Sequence, residues 1–224
     1  MDHKQIFSLI DHTNLKADIT REDVALLCDQ AKRYGFKSVC VHPYYVAAAY
    51  AELKGSAVAV CSVAGFPLGM NTARTKADEA AECIGNGAAE IDMVINIGAA
   101  KSGDWAYIEN EISRIKRAVG ANILKCILET CYLTDAEKVN ACESAVSGGA
   151  DFVKTSTGLA RMGATVSDVA LMRRTVGTRC GVKAAGGIRT LDDCIAMIDA
   201  GATRIGVSGA MKLVEEALAP QAAN

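Results

Sequence analysis

A (β/α)8 barrel, as a single domain over residues 1–224, is the fold class this sequence predicts, and three observations predict it. Short β-rich runs alternate with helical stretches from one end of the chain to the other. Eight such runs can be read, and their starts are on average roughly 28 residues apart, close to the ~30 residues of one βα unit. Several of the runs are unbroken apolar segments, as expected of parallel strands buried on both faces. A chain of 224 residues with no long linker accommodates one barrel.

The elements follow in order. SLIDHT (8–13) reads as the first strand. A helix starts after Thr20, where Thr-x-x-Asp is a capping pattern, and stops at Gly35. KSVCVH (37–42) and AVAVCSV (57–63) are the second and third strands. ARTKADEAAECIGNG (73–87) reads as a helix closed by glycine. Strands four to seven are AEIDMVIN (89–96), ILKCILE (123–129), ADFVKT (150–155) and GVKAAG (181–186). TLDDCIAMIDAG (190–201) is a second glycine-stopped helix, TRIGVSG (203–209) the eighth strand, and PQAAN an alanine-rich tail. The alternative is a doubly wound open sheet. It is weakened because no strand is followed by a G-x-G-x-x-G turn, and the absence of any Gly-Lys pair removes a P-loop.

Composition excludes several function classes. The net charge is -2, from 24 basic and 26 acidic residues, so no nucleic-acid or anionic-membrane surface is expected. The longest apolar run, Tyr44 to Ala51, is far short of the roughly 18 residues of a membrane span. The opening MDHKQIF lacks the basic-then-apolar order of a signal peptide. Nine cysteines without a C-x-x-C pair point to a reducing cytoplasm and away from a zinc knuckle or thioredoxin-type site. Three scattered histidines offer no H-E-x-x-H and no evident metal set.

In a barrel, chemistry is expected at the C-terminal ends of the strands. Lys154 and Lys183 stand there on consecutive strands. A buried lysine must be paired or neutral, and two side by side disfavour each other's charge, which lowers one pKa. A neutral amine is what Schiff-base chemistry needs. Read singly, each lysine is a snorkelling strand-end residue in a salt bridge. Asp92, a carboxylate inside a strand, sits three strands from Lys183 and nearly opposite it across the mouth; its bland reading is a structural ion pair. Glycines and hydroxyls gather after the last three strands: Thr155, Ser156, Thr157 and Gly158, then Gly186 and Gly187, then Ser208 and Gly209. Three such loops together form a phosphate cradle, because glycine lets backbone amides approach an anion. Cys40 and Cys61 read as packing residues, Ser113 to Lys116 as a chance S-x-x-K match, and Glu129 is left without a role.

Together, DFVKTSTG, GVKAAGGIRT, EIDMVIN and LIDHTNL resemble the deoxyribose-phosphate aldolase family over about residues 9–210. The resemblance implies a class I aldolase acting on a small sugar phosphate, 2-deoxy-D-ribose 5-phosphate, with no metal or organic cofactor. It implies Lys154 as the imine-forming nucleophile, Lys183 as the lysine that perturbs it, and Asp92 as a proton relay through water. It further implies Asp11 as a polar site residue and Cys40 as a strand-end cysteine near the aldehyde pocket. It suggests a monomer or homodimer in the cytoplasm. Two departures stand out. Leu159 occupies the place of a lysine that some members carry, which shifts phosphate binding to backbone amides, Arg161 or Arg189. No tyrosine follows Tyr132, so the terminal tyrosine of some members is lacking and proton transfer falls to Lys183 and Asp92. Another lysine-dependent barrel aldolase or transaldolase, and a catalytically inert phosphate-binding barrel, are the competing readings.

Overall fold

Threonine hydroxyls start most of the longer helices. Thr20, Thr134 and Thr190 each accept from the amide three residues on, and Asp23, Glu137 and Asp193 return a bond to the threonine's own amide. This reciprocal cap satisfies two donors that the first helical turn leaves free. Thr72 and Thr165 cap in the simpler form. The computed structural model describes residues 2–219, so the tail PQAAN lies outside the described residues.

Eight strands are found where eight were expected: β1 (Ile10–Thr13), β2 (Ser38–Cys40), β3 (Ala59–Ala64), β4 (Glu90–Val94), β5 (Ile123–Ile127), β6 (Phe152–Lys154), β7 (Gly181–Ala185) and β8 (Arg204–Val207). They pair in parallel in chain order, and β1 also pairs with β8, closing the barrel. Most are shorter than their sequence spans, because the residues past their ends turn into the loops at the barrel mouth. The helices are α1 (His3–Phe7), α2 (Arg21–Tyr34), α3 (Val46–Glu52), α4 (Ala73–Gly85), α5 (Ile97–Lys101), α6 (Trp105–Val119), α7 (Asp135–Ser147), α8 (Val166–Val176), α9 (Leu191–Asp199) and α10 (Ala210–Leu218). Among the described residues no helix is long and apolar enough to cross a membrane. The apolar run from Tyr44 instead forms a turn and α3.

The main core lies between strands and helices. Ile91, Met93, Leu124, Val153, Val182 and Ile205 are fully buried there with Ile108, Ile112 and Ile115 of α6 and Val169 and Met172 of α8. The strand positions alternating with these carry charge. Asp11, Glu90, Asp92, Lys125, Lys154, Lys183 and Arg204 are all buried. The reading of strands as apolar on both faces therefore needs correcting: one face is apolar, and the other lines a barrel interior filled with ions. Register sets their order. Lys154 pairs with Lys183, Asp92 with Lys125, and Asp11 with Ser38 on one side and Gly206 on the other.

Candidate active site

One carboxylate joins three strands. Asp92 Oδ2 accepts from Lys154 Nζ at 2.8 Å and from Lys183 Nζ at 2.7 Å, while its Oδ1 accepts from Lys125 Nζ at 2.7 Å. Lys183 also donates to Asp11. Below them, Lys125 reaches Glu90 Oε2 at 2.6 Å, and Arg204 bridges Asp11 at 2.7 Å and Glu90 at 2.8 Å. The hydroxyl of Ser38 donates to Asp11 at 2.7 Å. Lys183 and Asp92 do meet across the mouth, as their opposite strands suggested. Lys125, Glu90 and Arg204 were missed. Their signal is polar–apolar alternation in Glu90-Ile91-Asp92 and Leu124-Lys125-Cys126, hidden inside runs read as uniformly apolar.

The electrostatics follow from this packing. Burial alone would raise the Asp92 carboxyl; the cations of Lys125, Lys154 and Lys183 overcome it and hold the carboxyl well below the usual range. Burial would likewise discharge Lys183, yet Asp11 and Asp92 lift its ammonium above the ordinary lysine range. Lys183 is therefore not a lysine whose pKa is lowered by a neighbouring cation. Two carboxylates in direct contact outweigh one adjacent cation. Three carboxylates (Asp11, Glu90, Asp92) and four basic side chains (Lys125, Lys154, Lys183, Arg204) share the buried barrel interior.

Lys154 differs from the other three in one respect: it lines an open cavity of about 310 Å³. The walls include Thr157 and Gly158, Gly186 and Gly187, Arg189, and Ser208 and Gly209, so all three loops read as a cradle meet around it. Asp92, Asp11, Lys183 and Cys40 are not on the cavity wall; each is essentially inaccessible beneath it. Thr13 and Lys212 line the cavity and were not anticipated. Lys212 stands in the first turn of α10, which has no side-chain cap at its start. An uncapped helix start after the eighth strand is a ready anion site.

Two glycines make room for this arrangement. Gly186 has φ +83°, and a Cβ there would lie 3.0 Å from Gly163 Cα and 3.3 Å from Gly158 Cα. Gly206 leaves space beside Lys183, whose Cε would lie 3.0 Å from an added Cβ. Arg161, offered as a phosphate ligand, is not on the cavity wall. Its guanidinium donates to the Cys131 carbonyl and covers the Tyr132 ring at 5.3 Å. Arg189 does line the cavity. The S-x-x-K match lies on α6, where Ser113 receives a bond from Arg117 and Lys116 pairs with Asp151.

Cys40 and Cys61 pair in register on β2 and β3. The Cys61 thiol lies 3.3 Å from Asp92 Oδ1, and the hydrogen bond it shares with Cys40 lowers the Cys40 pKa while burial raises its own. The two sulfurs and an Asp92 oxygen lie within 4.8 Å of one another and form a conceivable metal donor set. Both Asp92 oxygens are already engaged by lysines, and the surrounding cations oppose a further positive ion.

Glu129 acquires a role. It is buried, with φ +54°, and both its carboxylate oxygens accept from the Thr157 amide at 3.2 Å. Burial raises its pKa. A group raised in this way favours the fold below its unfolded value, about 4.3, and loses that advantage as pH rises through the folded value. Glu129→Gln keeps an acceptor for Thr157 and removes the cost of burying charge. It is expected to match wild type at pH 4 and to melt about 2 °C or more higher at pH 7. A lower melting temperature at pH 7 in a calorimetric scan would refute this.

Comparison with known proteins identifies the family. A family model described as DeoC/LacD family aldolase matches residues 5–213. The chain is 54% identical over 214 residues to a deoxyribose-phosphate aldolase of Caldanaerobacter subterraneus subsp. tengcongensis, covering 94% of this chain and 93% of that one. It is 56% identical over 211 residues to the Lactococcus lactis subsp. lactis enzyme of the same name, covering 94% and 96%. Among solved structures, the tetrameric deoxyribose phosphate aldolase of Aeropyrum pernix superposes with a TM-score of 0.88 at 33% identity, covering 96% of this chain and 91% of that one. The barrel, the buried lysines and the glycine cradle agree with these matches, and the chain belongs to the DeoC/LacD family of aldolases.

Proposed function

We propose that the chain is a class I aldolase that reversibly cleaves 2-deoxy-D-ribose 5-phosphate to D-glyceraldehyde 3-phosphate and acetaldehyde, with Lys154 as the covalent nucleophile. One observation carries the reading: of the four basic side chains buried in the barrel, Lys154 alone lines the cavity. The relatives named as deoxyribose-phosphate aldolases support the substrate.

The chemistry balances on this chain's residues. The Lys154 amine adds to C1 of the open-chain sugar and, with loss of water, forms an imine. The C3 hydroxyl gives up its proton, the C2–C3 bond breaks, and its electron pair passes through C2 into the protonated imine to leave an enamine. Glyceraldehyde 3-phosphate departs. A proton delivered to C2 gives the acetaldehyde imine, which water hydrolyses back to the free amine. Asp92 and Lys183 lie beside the Lys154 nitrogen and serve, with water, as the relay for these protons. The imine is the electron sink, so no metal or organic cofactor enters this reading. The phosphate is remote from the breaking bond, and its binding energy positions the sugar.

Phosphate is held by the loops around Gly186, Gly187, Ser208 and Gly209, with Arg189 and Lys212 supplying charge. Arg189→Ala is expected to raise KM about tenfold, the worth of one charge-assisted bond at an exposed site, with kcat within about twofold. An unchanged KM in steady-state cleavage removes Arg189 from the phosphate site. The rival reading, a related lysine-dependent aldolase or transaldolase, is separated by a donor panel. Acetaldehyde release supports the present reading; transfer of a dihydroxyacetone unit replaces it. A cytoplasmic homodimer completes the proposal. The tetrameric Aeropyrum relative supports self-association, and light scattering checks the dimer: twice the monomer mass is expected, and a monomer or tetramer mass overturns it.

A further inference from the structure

The mechanism leaves one buried ion pair unused. Lys76 of α4 and Glu111 of α6 meet at 2.7 Å with both side chains fully buried. They lie where α4 packs on α6 and β4, outside the barrel interior. Lys76 Nζ also donates to the Val94 carbonyl at 2.7 Å, and the other oxygen of Glu111 accepts from the Asn96 amide at 3.0 Å. Both backbone groups lie at the end of a ladder. β3 pairs with β4 only as far as Ala64 and Met93, whereas β5 continues to Val94 and Ile127. The ion pair takes over where β3 stops. Gly65, the first residue past β3, has φ +63°, and a Cβ there would lie 2.7 Å from Lys76 Cε. Its amide donates to Glu79 Oε2, also on α4, at 2.7 Å. The ends of β3 and β4 are thus fastened to one helix.

A buried ion pair is a poor source of stability, since apolar side chains of similar volume serve as well. Burial pulls the Lys76 pKa down and the Glu111 pKa up, against their mutual attraction. What this pair adds is two directed bonds to the backbone just past Asp92. We infer that Lys76 and Glu111 are positioning residues for the proposed reaction, clamping the end of β4 so that the Asp92 carboxylate stays within bonding distance of Lys154 and Lys183. The inference rests on the proposed function and deepens it. Asp92 reaches those lysines at 2.8 and 2.7 Å, across the barrel to β6 and β7 rather than along a ladder. A loosened strand end is felt first in such bonds, and a shift of about 1 Å can cost about 10²-fold in rate. The phosphate cradle stands on the loops after β6, β7 and β8, away from the clamp.

The test is two double variants in three assays: steady-state cleavage of deoxyribose 5-phosphate, exchange of the acetaldehyde methyl protons for deuterium, and borohydride trapping of the acetaldehyde imine. Trapping needs only the imine on Lys154. Exchange also needs a proton moved at C2, which is the work of the relay. Lys76→Met/Glu111→Leu strands no charge and removes both backbone bonds. It is expected to fold and to lower kcat and the exchange rate about tenfold or more, with KM and the trapped fraction within about twofold. Lys76→Met/Glu111→Gln restores an acceptor for Asn96 and is expected to recover about threefold of that loss. A pair that only supports the scaffold would lower the melting temperature and leave kcat and exchange within about twofold of wild type. That result overturns the inference, as does a trapped fraction that falls in step with exchange. If the first variant does not fold, the second decides alone. Exchange slowed more than about twofold with trapping intact upholds the clamp, and exchange within about twofold overturns it. Failure of both to fold makes the pair scaffold and overturns it too. If wild type does not cleave the sugar phosphate, the functional reading falls and the clamp with it; if wild type cleaves normally, only the clamp is at stake.

Discussion

Lys154→Met is expected to abolish turnover, with kcat reduced by about 10⁴-fold or more, while the barrel stays folded. The other lysine on the cavity wall, Lys212, stands in the first turn of α10 among the residues proposed to hold phosphate, so it does not replace Lys154. Lys183 and Lys125 are buried beneath the cavity and held cationic by Asp11, Asp92 and Glu90. The fold should tolerate the change because Asp92 keeps two of its three lysine partners, and methionine preserves the length of the side chain. The substitution also leaves three basic and three acidic side chains in the interior, so no carboxylate is stranded. The decisive measurement is borohydride reduction in the presence of deoxyribose 5-phosphate followed by peptide mapping. Wild type should carry the adduct on Lys154, and Lys154→Met should carry none. An adduct on Lys183 would exchange the roles of the two lysines. A folded wild type with no adduct would end the covalent reading.

The second large effect is expected at Asp92, and it is as much one of stability as of rate. Asp92→Asn leaves Lys125, Lys154 and Lys183 around a neutral amide at full burial. Breaking a buried pair from one side costs about 3–5 kcal/mol, because the partner's charge remains without compensation. For a chain of this size that corresponds to a melting temperature lower by roughly 6–20 °C. Turnover should fall about 10²–10⁴-fold with loss of the relay. The pH dependence is fixed in sign. The folded pKa of Asp92 is depressed, so its contribution is present above the unfolded value of about 3.9 and is lost only as pH falls through the much lower folded value. The stability gap between wild type and Asp92→Asn should therefore be constant from about pH 5 to 8 and close only in strong acid. Chemical denaturation at several pH values checks this. A gap that closes near neutrality would mean that Asp92 is not held ionised.

The eight strands were legible because each is a short β-rich run separated from the next by a capped helix. Thr20 with Asp23, and Thr190 with Asp193, mark those helix starts by interactions three residues apart. The paired lysines were legible for a related reason. Consecutive strands of a parallel barrel are neighbours, so Lys154 and Lys183 had to come together, and they do, in register. The cradle followed from glycines at three successive strand ends. Arg161 shows where this reasoning stops. Its place in the sequence suits a phosphate ligand, but the Cys131 carbonyl and the Tyr132 ring compete for its guanidinium. Lys212 shows the converse: an unremarkable helix lysine becomes part of the site because α10 begins where the eighth strand ends.

By itself the sequence determined what local rules govern: the number and order of strands, the helix caps, the adjacency of the two lysines and the loops that gather at the mouth. Only the tertiary structure decided the charge states and the access. Lys183 meets Asp11 across 172 positions of sequence, and Arg204 meets the same carboxylate across 193. Closing the barrel brings these ions into one interior shielded from water, where contacts of under 3 Å outweigh the cost of burial. The physical reason is that Coulomb energy and desolvation depend on distance and burial, which the order of residues along the chain does not specify. That is why Lys125 went unread and why Lys154, alone among the buried basic groups, is left facing the cavity.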